Sequence, residues 1–329
     1  MEKKYLKILV TGSISFDEIM DFPYEFVDYF HPEKLHQINV SFVVDNLEKQ
    51  IGGTATNIAH NLRLVTEKDI NILAAVGKDG NDILNFFKKR KISTDGIIKD
   101  TKKYTSTGKV ITDIKDNQIW GFYYGASETA KKIKLKKYAK KDSLLIISAN
   151  YSEAFLNFQK DAIEQKVDYL YDPGMALTWI SDKDLKTGVE NCKFLVGNDY
   201  EIAMITKRIK KSVNELIPLR PKKSGASLGT GGLAVITTLG EKGVIYQSKK
   251  ENYRVAGYKV KKVVDPTGAG DAWRGGFVAG LVEGKKIKES LKLGNALASF
   301  AVEVYGTTNH HPSKKEIEKR ANDLEVQSL

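Results

Sequence analysis

The sequence predicts an α/β fold, a three-layer α/β/α sandwich around a mostly parallel sheet, and three observations lead to it. Short apolar runs bounded by Gly, Asp or Asn recur along the 329 residues, as is typical of strands buried on both faces of a sheet. Helix-like segments separate these runs, which favours parallel strands joined by helices. The length suits one large domain over residues 1–329, and no internal repeat is found.

The predicted elements follow in chain order. The strands of the main sheet are Lys7–Thr11, Ile72–Val76, Leu144–Ser148, Tyr169–Asp172, Phe194–Gly197 and Leu233–Thr237. The intervening helices include Thr56–Val65, Asn81–Arg90 and Tyr200–Ile205. A strand-like run, Lys259–Val264, precedes a glycine-rich loop. The Gly- and Pro-containing stretch 220–232 is expected to be a loop within the domain and not a domain boundary.

Two stretches interrupt the alternation of strands and helices. One contains the β-type runs Phe16–Phe22 and Ile38–Val44 around a polar insert. In the other, Gly108–Ile114 and Gln118–Tyr124 flank a three-residue polar turn, which is the pattern of a β-hairpin. We expect residues from about 16–50 and 105–126 to form a small antiparallel β-sheet that stands off the main domain as a lid.

Lysine dominates the formal net charge of +11, with the densest cluster over residues 131–141. A strongly basic chain suggests nucleic-acid binding. The cluster, however, has few arginines and no interleaved aromatic side chains of the kind that read bases. A solvated surface is the preferred interpretation, and we expect no nucleic-acid partner. A lysine-rich nucleic-acid-binding protein remains a remote alternative.

The single cysteine, Cys192, excludes an internal disulfide framework and is typical of a reducing compartment. No apolar run approaches the roughly 18 residues of a membrane-spanning helix. The basic N-terminal residues lead directly into the first predicted strand, so we expect no signal peptide. These features predict a cytoplasmic protein with no membrane partner.

The most informative segment is Asp265-Pro266-Thr267-Gly268-Ala269-Gly270-Asp271, which leads into a helix of small residues. Gly268 and Gly270 permit a tight turn. Such a turn, with Ala269 between the glycines, aims backbone N–H groups and a helix N-terminus at a phosphate or oxyanion. Asp271 is then placed to take a proton from an attacking hydroxyl. From these residues alone, a simple helix-capping role for Asp271 stays open.

Other nucleotide-binding patterns do not fit the chain. No Gly-Lys pair is followed by the hydroxyl residue of the P-loop motif. The dinucleotide-type pattern at 229–234 precedes a predicted strand, whereas it should lie between a strand and a helix. The protein-kinase motifs are also missing.

Several further motifs, in one order from about residue 6 to 313, resemble the ribokinase-like, or PfkB, carbohydrate kinases, especially the adenosine- and nucleoside-kinase-like members. The matching segments are Gly12–Asp17, Gly52–Asn57, Val76–Asp79, Asn198–Glu201, Thr238–Gly243 and Asp265–Leu281. Two positions depart from the family pattern: Pro266 replaces a hydroxyl residue, and Arg274 follows an unusual Trp273.

The resemblance implies a ribokinase-like fold and an ATP-dependent kinase that uses Mg²⁺. It assigns Asp271 as the catalytic base and Gly268, Ala269 and Gly270 as the anion-stabilising loop. It assigns substrate binding to Asp17, Gly52, Gly53 and Asn57. It assigns nucleotide binding to Asn198, Glu201, Thr238, Gly240, Gly243 and Asn295, with Glu201 holding Mg²⁺ through water. Asp265 is implied as part of a monovalent-cation (K⁺) site, as found in some members.

The substrate is the least determined feature. The lid sequence and the Gly-Gly-Thr-Ala-Thr-Asn motif resemble the adenosine-kinase-like members, which favours a nucleoside over ribose or a hexose. Four lid aromatics are candidates for stacking on a nucleobase: Phe16, Phe42, Trp120 and Phe122. The same residues suit a protein core or a homodimer contact through the lid equally well, and these readings stay open.

Overall fold

The computed structural model describes residues 4–30, 39–115, 117–218 and 232–329. The strands in these ranges are β1 (Lys7–Thr11), β2 (Ser15–Asp21), β3 (Asn46–Gly52), β4 (Asp69–Val76), β5 (Ile97–Lys99), β6 (Ser106–Thr112), β7 (Gln118–Tyr123), β8 (Ser143–Ile147), β9 (Asp168–Tyr171), β10 (Phe194–Asn198), β11 (Ala234–Thr238), β12 (Val244–Gln247), β13 (Asn252–Val255) and β14 (Val326–Ser328). The helices are α1 (Thr54–Val65), α2 (Asn81–Lys89), α3 (Ser152–Glu164), α4 (Asp182–Asn191), α5 (Asp199–Ile209), α6 (Val213–Leu216), α7 (Ala269–Val282), α8 (Ile287–Ala301) and α9 (Lys314–Asn322).

The main sheet has the strand order β14-β13-β12-β11-β10-β9-β8-β1-β4-β5. Along this order, neighbouring strands from β11 to β5 pair in parallel. Strands β12, β13 and β14 add an antiparallel edge. Alternate residues of β1 enter two separate cores: Ile8 and Val10 pack with the layer of α1, α2, α7, α8 and α9, and Leu9 packs with the layer of α3 to α6. The predicted three-layer sandwich is therefore confirmed.

A separate small sheet has the order β3-β2-β6-β7. The β6–β7 hairpin is present as predicted, and β2 pairs with β3 in antiparallel fashion. Strand β2, however, pairs with β6 in parallel, because the chain crosses the main sheet between them. The predicted all-antiparallel arrangement was wrong in this one pairing.

Two predicted strands are wrong. Ile38 lies outside the described residues, and the rest of the strand expected at Ile38–Val44 is absent because the strand begins only at Asn46. In the stretch before it, Phe42 packs its ring against Phe22 and Phe26 at centroid distances of 4.8 and 5.0 Å. Residues 259–264 form no strand, because β14 covers the free edge of β13 and this segment runs exposed along the end of α8. Most of the predicted loop at 220–232 lies outside the described residues.

Among the described helices, none has both the length and the apolar character needed to cross a bilayer.

Candidate active site

The carboxyl ends of the parallel strands collect polar residues at one edge of the main sheet. Ser148 follows β8, Asp172 follows β9, Asn198 ends β10 and Thr238 ends β11. Asn198 and Thr238 are direct partners in the register of β10 and β11. Ligands of open α/β sheets bind at this edge, and the two predicted nucleotide-binding motifs are thus brought side by side there.

The glycine-rich loop turns into α7 at this edge. Gly268 is the N-cap of α7 and adopts a left-handed conformation (φ 76°). A Cβ at this position would come within 2.9 Å of Thr307, so a residue larger than glycine would be both strained and crowded. The carboxylate of Asp265 braces the loop by accepting hydrogen bonds from the N–H groups of Thr267 (2.8 Å) and Gly306 (3.0 Å).

The loop leaves backbone donors available for an anion. Ala269 N–H points back to the Pro266 carbonyl at 3.3 Å. Within the described part of the chain, the N–H groups of Gly268, Gly270 and Asp271 have no acceptor. Together with the N-terminal end of the α7 dipole, these donors form a suitable cradle for a phosphoryl group.

Asp271 lies in the first turn of α7 and faces α1. Its Oδ2 accepts a hydrogen bond of 2.9 Å from the side-chain amide of Asn57. Burial raises the pKa of Asp271 to about 6, against the opposing effects of the Arg274 guanidinium and the Asn57 hydrogen bond. A carboxyl group with a pKa near 6 is ionised at neutral pH and is still basic enough to accept a proton.

Asn57 is 5% exposed, and its Oδ1 has no hydrogen-bond partner in the described structure. A buried acceptor without a donor costs free energy. This orphaned oxygen lies on the same amide group that binds Asp271, so a substrate hydroxyl reaching Asp271 would find a second partner there.

Behind Asp271, Arg274 and Asp172 form a buried ion pair. The Nη2 of Arg274 donates to Asp172 Oδ1 at 2.6 Å, and its Nε lies 2.6 Å from Oδ2. Asp172 also accepts a hydrogen bond from Ser148 Oγ at 3.0 Å. Asp172 was not among the predicted site residues, because it was read as the last residue of a strand; its place at a strand's carboxyl end was the available signal.

Asp17 projects from β2 in the small sheet, and Gly52 lies beside it on β3. A side chain at Gly52 would collide with the Asp17 carboxylate, so glycine is required for this close approach. Gly53 follows as the N-cap of α1. Burial raises the pKa of Asp17 to about 6, and a hydrogen bond from Ser15 opposes this shift. The four predicted substrate-binding residues thus lie along the β2–β3–α1 connection.

Two of the candidate aromatics share the face of the small sheet that carries Asp17. Gly108 pairs with Asp17 on one side and with Phe122 on the other. A Cβ at Gly108 would lie 3.1 Å from Asp17 Oδ1 and 3.2 Å from the Trp120 ring. Trp120 and Phe122 remain 56% and 49% exposed. An exposed aromatic surface is therefore adjacent to the Asp17 carboxylate.

The other two aromatics do not face this surface. Phe16 is buried in the main core on the opposite face of β2, with the Lys49 ammonium 4.0 Å from its ring centre. Phe42 belongs to an aromatic cluster with Phe22 and Phe26. For both residues the structural interpretation is the correct one.

On the nucleotide side, Asn198 and Glu201 form a reciprocal capping box at the start of α5, with bonds of 2.8 Å in both directions. Burial raises the pKa of Glu201. Gly240 and Gly243 bound the short 3₁₀ turn that follows β11. Asn198 and Glu201 therefore have a structural role whether or not they also contact a nucleotide.

The side chain of Asn295, which the resemblance assigns to nucleotide binding, is held by contacts within the protein. Its Oδ1 accepts from Trp273 Nε1 at 2.8 Å, and its amide donates to the carbonyls of Val255 (3.2 Å) and Ala256 (2.8 Å). Both amide hydrogens are consumed within the protein and the side chain is 5% exposed. Asn295 supports the wall of the site, and the expected nucleotide contact by its amide hydrogens does not fit this geometry.

A further buried donor at the sheet edge was not predicted. Asn150 follows β8; its Oδ1 accepts from Tyr151 N–H at 2.8 Å, and its Nδ2 has no partner among the described residues. The predicted strand ended at residue 148, so nothing local separated this asparagine from an ordinary loop residue.

Comparisons with known proteins show what the chain is similar to. The family model described as "pfkB family carbohydrate kinase" matches residues 11–314. The chain is 28% identical to a nucleoside kinase of Methanothermobacter thermautotrophicus, over 95% of this chain and 94% of that protein. It is 26% identical to a nucleoside kinase of Methanocaldococcus jannaschii, over 97% and 98% of the two chains.

Among solved structures, the nucleoside kinase of Burkholderia thailandensis in complex with inosine superposes with a TM-score of 0.81. The two proteins are 25% identical, and the superposition covers 96% of this chain and 97% of the kinase. The same kinase has been solved in complex with ADP-inosine, with a TM-score of 0.79 and coverage of 96% and 95%.

Proposed function

The chain belongs to the pfkB family of carbohydrate kinases, and on that premise we propose that it transfers the γ-phosphoryl group of ATP to the primary hydroxyl of a nucleoside. The observation that carries the choice of a nucleoside is the position of Trp120 and Phe122 beside Asp17. A carboxylate suits a sugar diol, and an adjacent exposed aromatic surface suits a planar base. The nucleoside-kinase relatives support the same choice.

The chemistry follows from the positions of Asp271 and the loop. Asp271 takes the proton of the primary hydroxyl as its oxygen bonds to the γ-phosphorus. The bond from that phosphorus to the β-phosphate oxygen breaks, and ADP leaves with the electron pair. The free N–H groups of Gly268 and Gly270 stabilise the charge on the transferring group.

The sugar is held between two elements. Asp17 accepts hydrogen bonds from the ribose hydroxyls, and the unpaired Oδ1 of Asn57 accepts another. Since the Asn57 amide also binds Asp271, the same residue orients both the substrate and the base. The small sheet acts as a lid that excludes water from the reacting group.

Mg²⁺ fits the acidic groups near the phosphates. Among the described residues, no cluster of three His, Cys, Asp or Glu side chains is placed to hold a metal ion directly. Glu201, with Asp172 close by, would hold the ion through water, while the phosphates supply the remaining ligands. Magnesium would neutralise charge on the phosphates. Asp265 is proposed for K⁺, with the loop carbonyls.

Several finer assignments belong to the same proposal. Residues 1–329 act as one ribokinase-like domain, and the small sheet also carries a homodimer contact through the exposed strand β7. The protein works in the cytoplasm, where ATP is available and Cys192 stays reduced. Sedimentation analysis of the wild-type chain and of a β7 charge variant tests the dimer.

The experiment that tests the function is an ADP-release assay with ATP and Mg²⁺ across nucleosides, ribose, fructose and phosphosugars. We expect a nucleoside to be the best acceptor, and mass spectrometry with ³¹P NMR to show one phosphate on its primary hydroxyl. Asp271→Asn is the matched inactive control. If ribose or fructose is preferred, the chain is a sugar kinase; salt-sensitive RNA or DNA binding without kinase activity would support the nucleic-acid alternative.

A further inference from the structure

Arg274 is a charged residue that the reaction described so far leaves without a task. It lies on α7, three residues after Asp271 and four after Gly270, so all three share one face of the helix. The residue is 7% exposed. Arginine is rarely buried where a side chain only fills space in the core. A buried guanidinium at the first turns of a helix, beside an anion-binding loop, therefore indicates a role for its charge.

The guanidinium is held in a fixed orientation. Nη2 donates a hydrogen bond to Asp172 Oδ1 at 2.6 Å, Nε lies in ion-pair contact with Oδ2 at 2.6 Å, and Ser148 in turn donates to Asp172 at 3.0 Å. Asp172 follows β9, which lies inside the main sheet with a strand on each side. Because the guanidinium is planar, fixing one edge also fixes the direction of the remaining nitrogen, Nη1.

Nη1 lies beside Gly270 of the anion loop. A Cβ built on Gly270 would lie 2.7 Å from this nitrogen, so Nη1 occupies the space next to a residue whose N–H group is free. Arg274 Nη1 makes no hydrogen bond to any other residue in the described ranges. A positively charged donor without a protein acceptor thus lies next to the loop that carries the free N–H groups.

Arg274 lies among three carboxylates whose negative charge it offsets. Asp172, Asp271 and Glu201 all interact electrostatically with it. Three carboxylates would repel an incoming polyphosphate, and a single pre-oriented guanidinium both offsets them and offers a donor to phosphate oxygens.

We propose that Arg274 is a further catalytic residue, whose Nη1 donates a hydrogen bond to the phosphoryl group during its transfer to the substrate hydroxyl. The inference rests on the proposed kinase function and adds a residue to it. Arg274 acts as an arginine supplied from within the chain to the transition state. Asp172 is the positioning residue that aims it.

The test compares kcat and both KM values of Arg274→Lys with those of the wild-type chain, using whichever acceptor the wild type phosphorylates best. We expect kcat to fall by about 10²–10³-fold, the effect of removing one preorganised donor. Both KM values should stay within about threefold, because the contact forms in the transition state. Arg208→Lys is the control, since Arg208 lies near the C-terminal end of α5 and pairs with Asp182 and the Leu177 carbonyl.

Two variants separate chemistry from folding. In Arg274→Ala, Asp172 remains to bind guanidinium ion added at a non-denaturing concentration. We expect the added ion to raise the kcat of this variant by at least about tenfold. Arg274→Ala combined with Asp172→Asn removes both charges and so leaves no buried ion unpaired. If Arg274 were purely structural, the double variant would have a near-wild-type kcat, and the kcat of Arg274→Ala would not respond to added guanidinium. Either result overturns the proposal.

A binding measurement decides the matter without reference to the acceptor. Aluminium fluoride with ADP mimics the transferring phosphoryl group, and we expect it to tighten ADP binding to the wild type by at least about a hundredfold. Arg274→Lys should lose most of this gain. Equal tightening in both proteins, or none in the wild type, contradicts a role for Arg274. An error in the acceptor class would instead appear as a poor nucleoside rate in the wild type.

Discussion

The side-chain amide of Asn57 donates a 2.9 Å hydrogen bond to the carboxylate of Asp271, although 214 positions separate them in the chain. This contact joins the first turn of α1, which follows the small sheet, to the first turn of α7, which follows the anion loop. It also places an unpaired acceptor, Asn57 Oδ1, beside the proposed base. In the proposed reaction, substrate recognition and proton transfer therefore share one pair of side chains.

Replacing Asp271 with Asn is expected to lower kcat by at least about a hundredfold, the lower range for loss of a general base. ATP affinity should change little, because the loop N–H groups remain. Steady-state kinetics and calorimetric titration with ATP measure the two effects. Turnover close to that of the wild type would leave Asp271 as a helix-capping residue only.

The acid limb of the pH profile reports the same carboxyl group. Since the pKa of Asp271 is about 6, kcat should rise with pH through this region and level off above it. The Asn57 hydrogen bond lowers the pKa of Asp271, so Asn57→Ala should move the limb to higher pH and reduce activity most in mild acid. Asn191→Ala, a surface change on α4, is the control. An unmoved limb would show that the hydrogen bond does not tune the base.

Asp17→Ala should raise the KM for the nucleoside far more than the KM for ATP. A carboxylate that binds two hydroxyls contributes roughly 1.5–3 kcal/mol per charged hydrogen bond, or more than about tenfold in affinity for each. The pKa of Asp17 is also about 6, so kcat/KM of the wild type should show a two-proton acid limb that becomes a one-proton limb in the variant. An unchanged nucleoside KM would remove Asp17 from the substrate site.

A histidine cluster away from the site should govern acid stability. His60 contacts the His310 carbonyl at 3.1 Å and accepts from Arg90 Nε at 3.2 Å, and the His311 ring packs against it. Burial is the main cause that lowers the pKa of His60 to about 3 and of His310 to about 4.

Because these folded-state pKa values lie below the unfolded value near 6.5, the unfolded chain binds more protons as pH falls. The free energy of unfolding should drop below pH 6.5 by about 1.4 kcal/mol per pH unit for each histidine, until its folded pKa is reached. Urea titrations from pH 7 to 4.5 measure the slope, and His60→Gln should make it shallower. Equal slopes in both proteins would contradict the assignment.

The sequence was most informative where function depends on local backbone. Buried parallel strands appear as apolar runs, so six strands of the main sheet were located within a few residues. The turn through Gly268 and Gly270 was recognisable because its conformation needs glycine. Residues 259–264 looked equally strand-like, but a strand also needs a free neighbour, and β14 takes that place.

Long-range partners were not predictable in the same way. Nothing near Asp172 indicates that Arg274, 102 positions later, will bind it. The family resemblance assigned Asn295 to nucleotide binding, and nothing near it indicates that its amide donates to the carbonyls of Val255 and Ala256. The pleat of β2 determines which face of the small sheet Phe16 occupies, because adjacent residues face opposite sides of a strand. Phe16 therefore enters the core while its neighbour Asp17 faces Gly108 and Phe122.

The central claim is that the chain acts on nucleosides, and the ratio of kcat/KM for the best nucleoside to that for ribose tests it most directly. Stacking contributes roughly 1–3 kcal/mol per base, so we expect a nucleoside advantage of about five- to 150-fold. Trp120→Ala and Phe122→Ala should reduce that ratio and spare ribose turnover, while Ile119→Ala on the opposite face of β7 should leave it unchanged. A ratio below one, or equal losses for both substrates in the aromatic variants, would contradict the account.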